Sequence, residues 1–221
     1  MNASPRSYLD RRDAGRVLAE RLSGYKGRSD VTVLALPRGG VPVAYEVARA
    51  LGAPLDVFVV RKLGYPGQEE FAMGAIASGG VQVLNAFAID GVSEPQLESI
   101  VARERVELAR REALYRGTSP PIDVRGRTVI VVDDGLATGA TMRAAVAALR
   151  QRDPARLVVG VPVGAEETCR QLASEADEVV CPCTPYPFRA VGLWYQEFTQ
   201  TSDDEVRRLL ADAQREHAPA H

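Results

Sequence analysis

Histidine is nearly missing from this chain: His217 and His221 are the only two, and both stand in a polar C-terminal stretch. A Ser-His-Asp triad, a histidine-based zinc site and a histidine general base are therefore disfavoured, and chemistry must run on carboxylates, Arg, Lys, backbone amides or a bound metal. Cysteine is scarce as well. Cys169, Cys181 and Cys183 form an odd set with no disulfide framework, which points to reduced thiols in a cytoplasmic setting. Cys181-Pro182-Cys183 lacks the second ligand pair a zinc site needs. No apolar run reaches membrane-spanning length, and the N-terminus leads into charge rather than a signal core. A net charge of -2 gives no general attraction to nucleic acid or membrane.

What is present is ordinary for a globular chain: 221 residues, 46% apolar and 25% charged, enough to bury one substantial core. Apolar spacing predicts helices over Leu9–Leu22, Val41–Leu51, Ser93–Tyr115, Thr141–Arg150 and Glu166–Ala173. Strands are expected over Val31–Leu36, Leu55–Val60, Thr128–Val132, Leu157–Val163 and Glu178–Cys181. Tyr65–Gln68 reads as a polar loop, and Phe71–Leu84 as a hairpin around Gly79-Gly80. Residues 184–200 fit no regular period and read as a functional cap; the last dozen read as a helix end and a tail. Strands alternating with helices predict an α/β fold, a parallel sheet covered on both faces.

The most informative stretch is Val129-Ile130-Val131-Val132-Asp133-Asp134-Gly135-Leu136-Ala137-Thr138-Gly139-Ala140-Thr141. A buried strand delivers two adjacent acids to a sheet edge, and a loop of small residues and threonines then opens a helix. Backbone N–H groups at such a helix start suit a phosphate. The acids would repel that phosphate, so they must face something neutral or cationic beside it, such as ribose hydroxyls or magnesium. Two acids alone at a strand end are common enough to be merely structural; the Thr-Gly-Ala-Thr that follows shifts the balance.

The segment resembles the motif by which type I phosphoribosyltransferases bind 5-phosphoribosyl 1-pyrophosphate (PRPP): an apolar strand, two acids, three variable residues, then Thr-Gly-x-Thr. The resemblance implies that Asp133 and Asp134 hold the ribose hydroxyls, and that Ala137, Thr138, Gly139, Ala140 and Thr141 hold the 5′-phosphate. Leu36-Pro37-Arg38-Gly39-Gly40, at the end of an earlier strand, is similar to the family's pyrophosphate loop, with charge from Arg38 and N–H groups from Gly39 and Gly40. In relatives the peptide entering that loop is often cis, which makes Pro37–Arg38 the candidate here. Arg61-Lys62-Leu63-Gly64 is similar to the Arg-Lys-x-Gly segment of adenine phosphoribosyltransferases. It implies that Arg61 and Lys62 reach the pyrophosphate and that a mobile loop, about 62–80, closes over the reacting centre.

Pro185–Tyr195 carries the only tryptophan and has two readings: a hydrophobic plug, or a base-binding hood in which Phe188 or Trp194 stacks on a flat heterocycle. The resemblance as a whole implies one domain over 1–221 with a type I phosphoribosyltransferase-like fold: a core about 25–182, a hood about 183–200 and a tail about 213–221. It further implies displacement of pyrophosphate from PRPP by a nucleobase-like acceptor, as in purine salvage, with Asp133, Asp134 and Lys62 catalytic. Mg2+ would be held by PRPP itself and through water by Asp133 and Asp134, in a homodimer with no nucleic-acid or membrane partner. Hypoxanthine-guanine enzymes carry an aspartate where this chain has Ala137, so the resemblance leans toward the adenine- or xanthine-type loop. A regulator that binds PRPP without turnover is the rival reading; balanced charge and no winged-helix-length N-terminal segment weigh against it. A PRPP synthetase shares the fold but is longer and two-lobed.

Overall fold

A computed structural model describes residues 7–85 and 88–217. Five parallel strands form the main sheet in the order β2-β1-β6-β7-β8, where β1 is Val31–Ala35, β2 Leu55–Val57, β6 Thr128–Val132, β7 Arg156–Gly160 and β8 Glu178–Val180. A second, antiparallel sheet contains β3 (Val60–Tyr65), β4 (Gln68–Ala77) and β5 (Val81–Leu84). The helices are α1 (Arg11–Arg21), α2 (Gly40–Leu51), α3 (Glu94–Arg116), α4 (Ala140–Arg150), α5 (Glu166–Leu172) and α6 (Asp203–His217).

The unbroken apolar runs of β1 and β6 follow from burial on both faces. Val31, Val33, Ala35, Ile130 and Val132 face one core with residues of α1, α2, α3 and α6. Leu34, Val129 and Val131 face the other, with Met142, Ala145 and Leu149 of α4 and Leu172 of α5. Full burial of one such side chain contributes roughly 1.5–3 kcal/mol, so the ten residues of these two strands, all buried, anchor the fold. Local signals set the helix ends. The Asp10 carboxylate accepts from the Asp13 N–H at 2.8 Å, Gln96 accepts from the Ser93 N–H at 3.2 Å, and α2 stops at Gly52 in a left-handed turn.

The strand order reverses between β1 and β6. The helix after β1 covers one face and the helix after β6 covers the other, which opens a crevice at the carboxyl ends of these two strands. They are in register through Ala35 and Val132, so the segments that leave them start side by side.

Three expectations change. The second parallel strand is Leu55–Val57 only; Arg61 and Lys62 lie on β3, in the separate antiparallel sheet. The span expected to be a loop, about 62–80, is mostly strand, because β3 and β4 pair with each other before β4 and β5 form the anticipated hairpin at Gly79-Gly80. The tail expected from 213 is helix to His217, since Val206, Leu209, Leu210 and Ala213 form one buried stripe on α6; residues 218–221 lie outside the described residues.

Candidate functional site

The crevice between β1 and β6 is built by two short segments in close contact. The Leu36 N–H donates to the Val132 carbonyl at 2.9 Å, which carries the β1 exit alongside the end of β6. The Pro37–Arg38 peptide is cis. Gly39 and Gly40 follow, and the absence of side chains there is a packing requirement. A Cβ on Gly40 would sit 2.7 Å from the Val132 carbonyl oxygen, and one on Gly39 would overlap the Asp134 carboxylate. The glycine loop and the two acids are thus in van der Waals contact, and α2 begins at Gly40 at this edge, where the Gly40 and Val41 N–H groups donate to the Leu36 and Arg38 carbonyls, each at 3.1 Å.

Asp133 and Asp134 leave β6 half-buried. Asp133 accepts from the Asp134 N–H at 2.8 Å. Burial, and then the neighbouring Asp134 charge, pushes the Asp133 carboxyl well above the ordinary carboxylate range. Burial also raises Asp134, opposed by Arg11, whose Nε donates to Asp134 Oδ2 at 2.8 Å. The chain then passes Leu136, whose N–H donates to the Val163 carbonyl at 2.9 Å, and reaches Gly139 in a left-handed turn that starts α4. Ala137, Thr138, Ala140 and Thr141 are exposed around that helix start, which among the described residues has no side-chain cap and lies beside two acids. Thr168 of α5 supports the loop from behind, its Oγ1 donating to the Ala137 carbonyl at 2.7 Å.

The cationic residues are less uniformly placed. Arg38 lies at the glycine loop, 3.8 Å from Asp203 at the start of α6, and with residues 200–204 it lines an open cavity of about 400 Å³. Arg61 turns to the buried Glu104 of α3, with its NH2 2.7 Å from Oε2, and so ties the small sheet to α3. Lys62 is exposed on β3, and among the described residues it enters no ion pair. The structure therefore joins the Arg38 loop and the Asp133–Asp134 loop directly, while Arg61 has a structural partner of its own.

The hood is irregular apart from a 3-10 turn at Val191–Trp194. Phe188 and Trp194 are partly buried against a small cluster of Tyr8, Ala14, Val163 and Tyr195, which gives both rings a packing role on one side. Sequence reasoning did not find the residues that join the hood to the acids. The Tyr195 hydroxyl donates to the Asp134 carbonyl at 2.5 Å, and the Arg11 guanidinium also donates to the Thr199 carbonyl at 2.6 Å while lying 3.9 Å from the centre of the Phe198 ring. Tyr195 sat inside a segment already singled out. Arg11 had no local signal, because its partner carboxylate is 123 positions away. Cys169 and Cys181 are free thiols; the neighbouring Cys181 lowers the Cys169 thiol's pKa, while Cys169 and burial raise that of Cys181, whose Sγ donates to the Cys183 carbonyl at 3.3 Å.

Residues 7–204 match the family model described as "Phosphoribosyl transferase domain". A Mycobacterium tuberculosis protein named "Putative phosphoribosyl transferase" is 48% identical over 215 residues, covering 96% of this chain and 48% of its own length. The chain thus spans about half the length of the mycobacterial relatives it matches. A "Bifunctional protein PyrR" of Chloroflexus aurantiacus is 34% identical over 147 residues, 64% of this chain and 74% of that protein. A solved structure from Thermus thermophilus, 45% identical, superposes with a TM-score of 0.84 over 93% of this chain and 98% of that one.

Proposed function

The chain belongs to the phosphoribosyl transferase family, and from that premise we propose that it transfers the 5-phosphoribosyl group of PRPP to a nucleobase-like acceptor, releasing pyrophosphate. The observation that carries this reading is the contact between the Gly39–Gly40 loop and the Asp133–Asp134 pair at the sheet's switch point, with the exposed start of α4 beside them. One crevice then offers an anion cradle on either side of two acids, the distribution of charge that PRPP requires.

In this reading the acceptor nitrogen forms a bond to C1 of the ribose as the C1–O bond to pyrophosphate breaks; the C1–O electron pair leaves with pyrophosphate, and the acceptor's N–H proton passes to solvent. Positive charge gathers on the sugar, and the carboxylates of Asp133 and Asp134 hold its hydroxyls and stabilise that charge. The N–H groups of Ala137–Thr141 and the hydroxyls of Thr138 and Thr141 take the 5′-phosphate. Arg38, with the N–H group of Gly39, takes the pyrophosphate, since the Gly40 N–H already donates to the Leu36 carbonyl at 3.1 Å, and Lys62 adds charge from the small sheet. Arg61 serves by fixing that sheet to α3 through Glu104.

Adjacent carboxylates are hard oxygen donors, and Mg2+ is commonly bound by one or two carboxylates plus substrate phosphates. Among the described residues no group of three or more potential ligands forms a protein cage, so the pair fits an ion that arrives with PRPP. Asp133 and Asp134 would hold it, and it would offset charge on the leaving pyrophosphate. Alanine at 137 offers no proton to the acceptor, which favours a base recognised by shape and stacking on the exposed parts of Phe188 and Trp194. A homodimer and a cytoplasmic setting complete the proposal.

The test is pyrophosphate release with PRPP and Mg2+ across purine, pyrimidine and other heterocyclic acceptors. Acceptor-dependent release is expected, with kcat/KM falling about 100-fold or more in Asp134→Asn. Tight PRPP binding with no turnover on any acceptor would instead favour a PRPP-sensing regulator.

A further inference from the structure

Two acids side by side are a poor place to bring a polyanion. Asp133 and Asp134 flank the cradles proposed for phosphate and pyrophosphate, and each acid raises the electrostatic cost of binding there. The counter-charge comes from an unexpected element. Arg11 opens α1, on the far side of the chain in sequence, yet its side chain is only 11% exposed, and it holds Asp134 Oδ2 through Nε at 2.8 Å. The same guanidinium donates to the Thr199 carbonyl and lies over the Phe198 ring, 3.9 Å from its centre. One planar cation thus reaches the ribose acid and the hood together, a geometry that a lysine ammonium cannot reproduce.

The backbone around it makes this bridge stiff. Tyr8 pairs with Tyr195 as an isolated parallel bridge, the Tyr8 N–H donates to the Trp194 carbonyl at 2.8 Å, and the Gln196 and Glu197 N–H groups donate to the Tyr8 and Leu9 carbonyls at 2.8 and 2.9 Å. The hood is therefore tied to the segment that begins α1, and α1 is tied by Arg11 to Asp134. Tyr195 closes the circuit through its hydroxyl on the Asp134 carbonyl.

We infer that Arg11 is a positioning residue which neutralises and orients Asp134 and couples the ribose site to the base-binding hood. This inference rests on the PRPP-transfer reading above. Arg11 touches no reacting atom. It leaves Asp134 Oδ1 available for a ribose hydroxyl, and it makes the hood respond when that carboxylate is engaged. Trp194, the only tryptophan, lies in the hood and reports that response directly.

The experiment uses the whole chain with PRPP and Mg2+, reading PRPP affinity by calorimetry, Trp194 emission, and steady-state rates in wild type, Arg11→Met and Arg11→Lys. Wild type should bind PRPP and change Trp194 emission. Arg11→Met should raise KM for PRPP and for the acceptor about tenfold or more with kcat changed less than about threefold, the signature of lost uniform binding, and should lose the emission change. Arg11→Lys should restore PRPP affinity through its charge but not the emission response, and it keeps the test open should the Met variant fold poorly. If the Met variant, or the Lys variant in its place, binds PRPP as wild type does and shifts Trp194 equally, the role of Arg11 is overturned while the transferase reading stands. If wild type binds no PRPP, the transferase reading fails first and the role falls with it.

Discussion

Gly39 and Asp134 touch so closely that one added methyl group would displace the acid. Gly39 has ordinary right-handed backbone angles, so alanine there is not strained; its Cβ would instead overlap the Asp134 carboxylate and force it aside. Gly39→Ala should lower kcat/KM at least about tenfold while the melting temperature moves by a few degrees at most, measured on the same preparation. A residue far from the site gives a second, opposite kind of prediction. Asp30 is held by Arg28 and Thr128, first through the Arg28 hydrogen bonds, and its carboxyl is lowered to about 2. The unfolded value is about 3.9, so the stabilisation is fully present above that pH and is lost as pH falls through about 2. The gap in denaturant midpoint between wild type and Asp30→Asn should be present at about pH 5 and close toward pH 2; a constant gap would refute the assignment. The acids at 133 and 134 were legible in sequence because their context is local, a strand before and a small loop after. Arg11 was not, because its meaning depends on a carboxylate brought to it only by folding.

At the scale of elements, the Ala137–Thr141 loop is a surface segment fastened from behind by α5. Thr168→Val keeps the shape of that support and removes its hydrogen bond to the Ala137 carbonyl. The net loss of one such bond is about 1 kcal/mol, so KM for PRPP should rise roughly fivefold with kcat little changed. An unchanged KM would mean the loop holds itself. The strands of the main sheet were readable from their β-branched runs, and β4–β5 from the turn at Gly79-Gly80. The β3–β4 pairing was hidden, because Tyr65–Gln68 carries turn residues and β3 carries Arg61 and Lys62 on a partly exposed strand, a composition that also suits a loop. The last helix did leave a trace. Val206, Leu209, Leu210 and Ala213 recur at i, i+3, i+4 and i+7, a spacing that outweighs the charge around it.

For the molecule as a whole, both cores must close before the crevice exists, since its two walls belong to strands whose following helices lie on opposite faces. A buried ion pair joins α3 to the sheet edge: Arg116 Nε lies 2.8 Å from Asp56 Oδ1, with both side chains under 10% exposed. Asp56 also accepts from the Val57 and Ile122 N–H groups. Removing only the cation leaves a buried charge without its partner, so Arg116→Met should cost about 3 kcal/mol of stability in denaturant unfolding, with PRPP affinity retained while the chain is folded. The α/β architecture was legible because alternating elements and two-faced strands admit few topologies, and the candidate site was proposed from where such sheets place ligands. The most direct test of the central claim is calorimetric titration of PRPP with Mg2+ into the wild-type chain and into Asp133→Asn and Asp134→Asn. The account predicts saturable binding at one site in wild type, weakened at least about tenfold in each variant. No heat of binding to wild type at millimolar PRPP, or equal affinity in all three proteins, would contradict it.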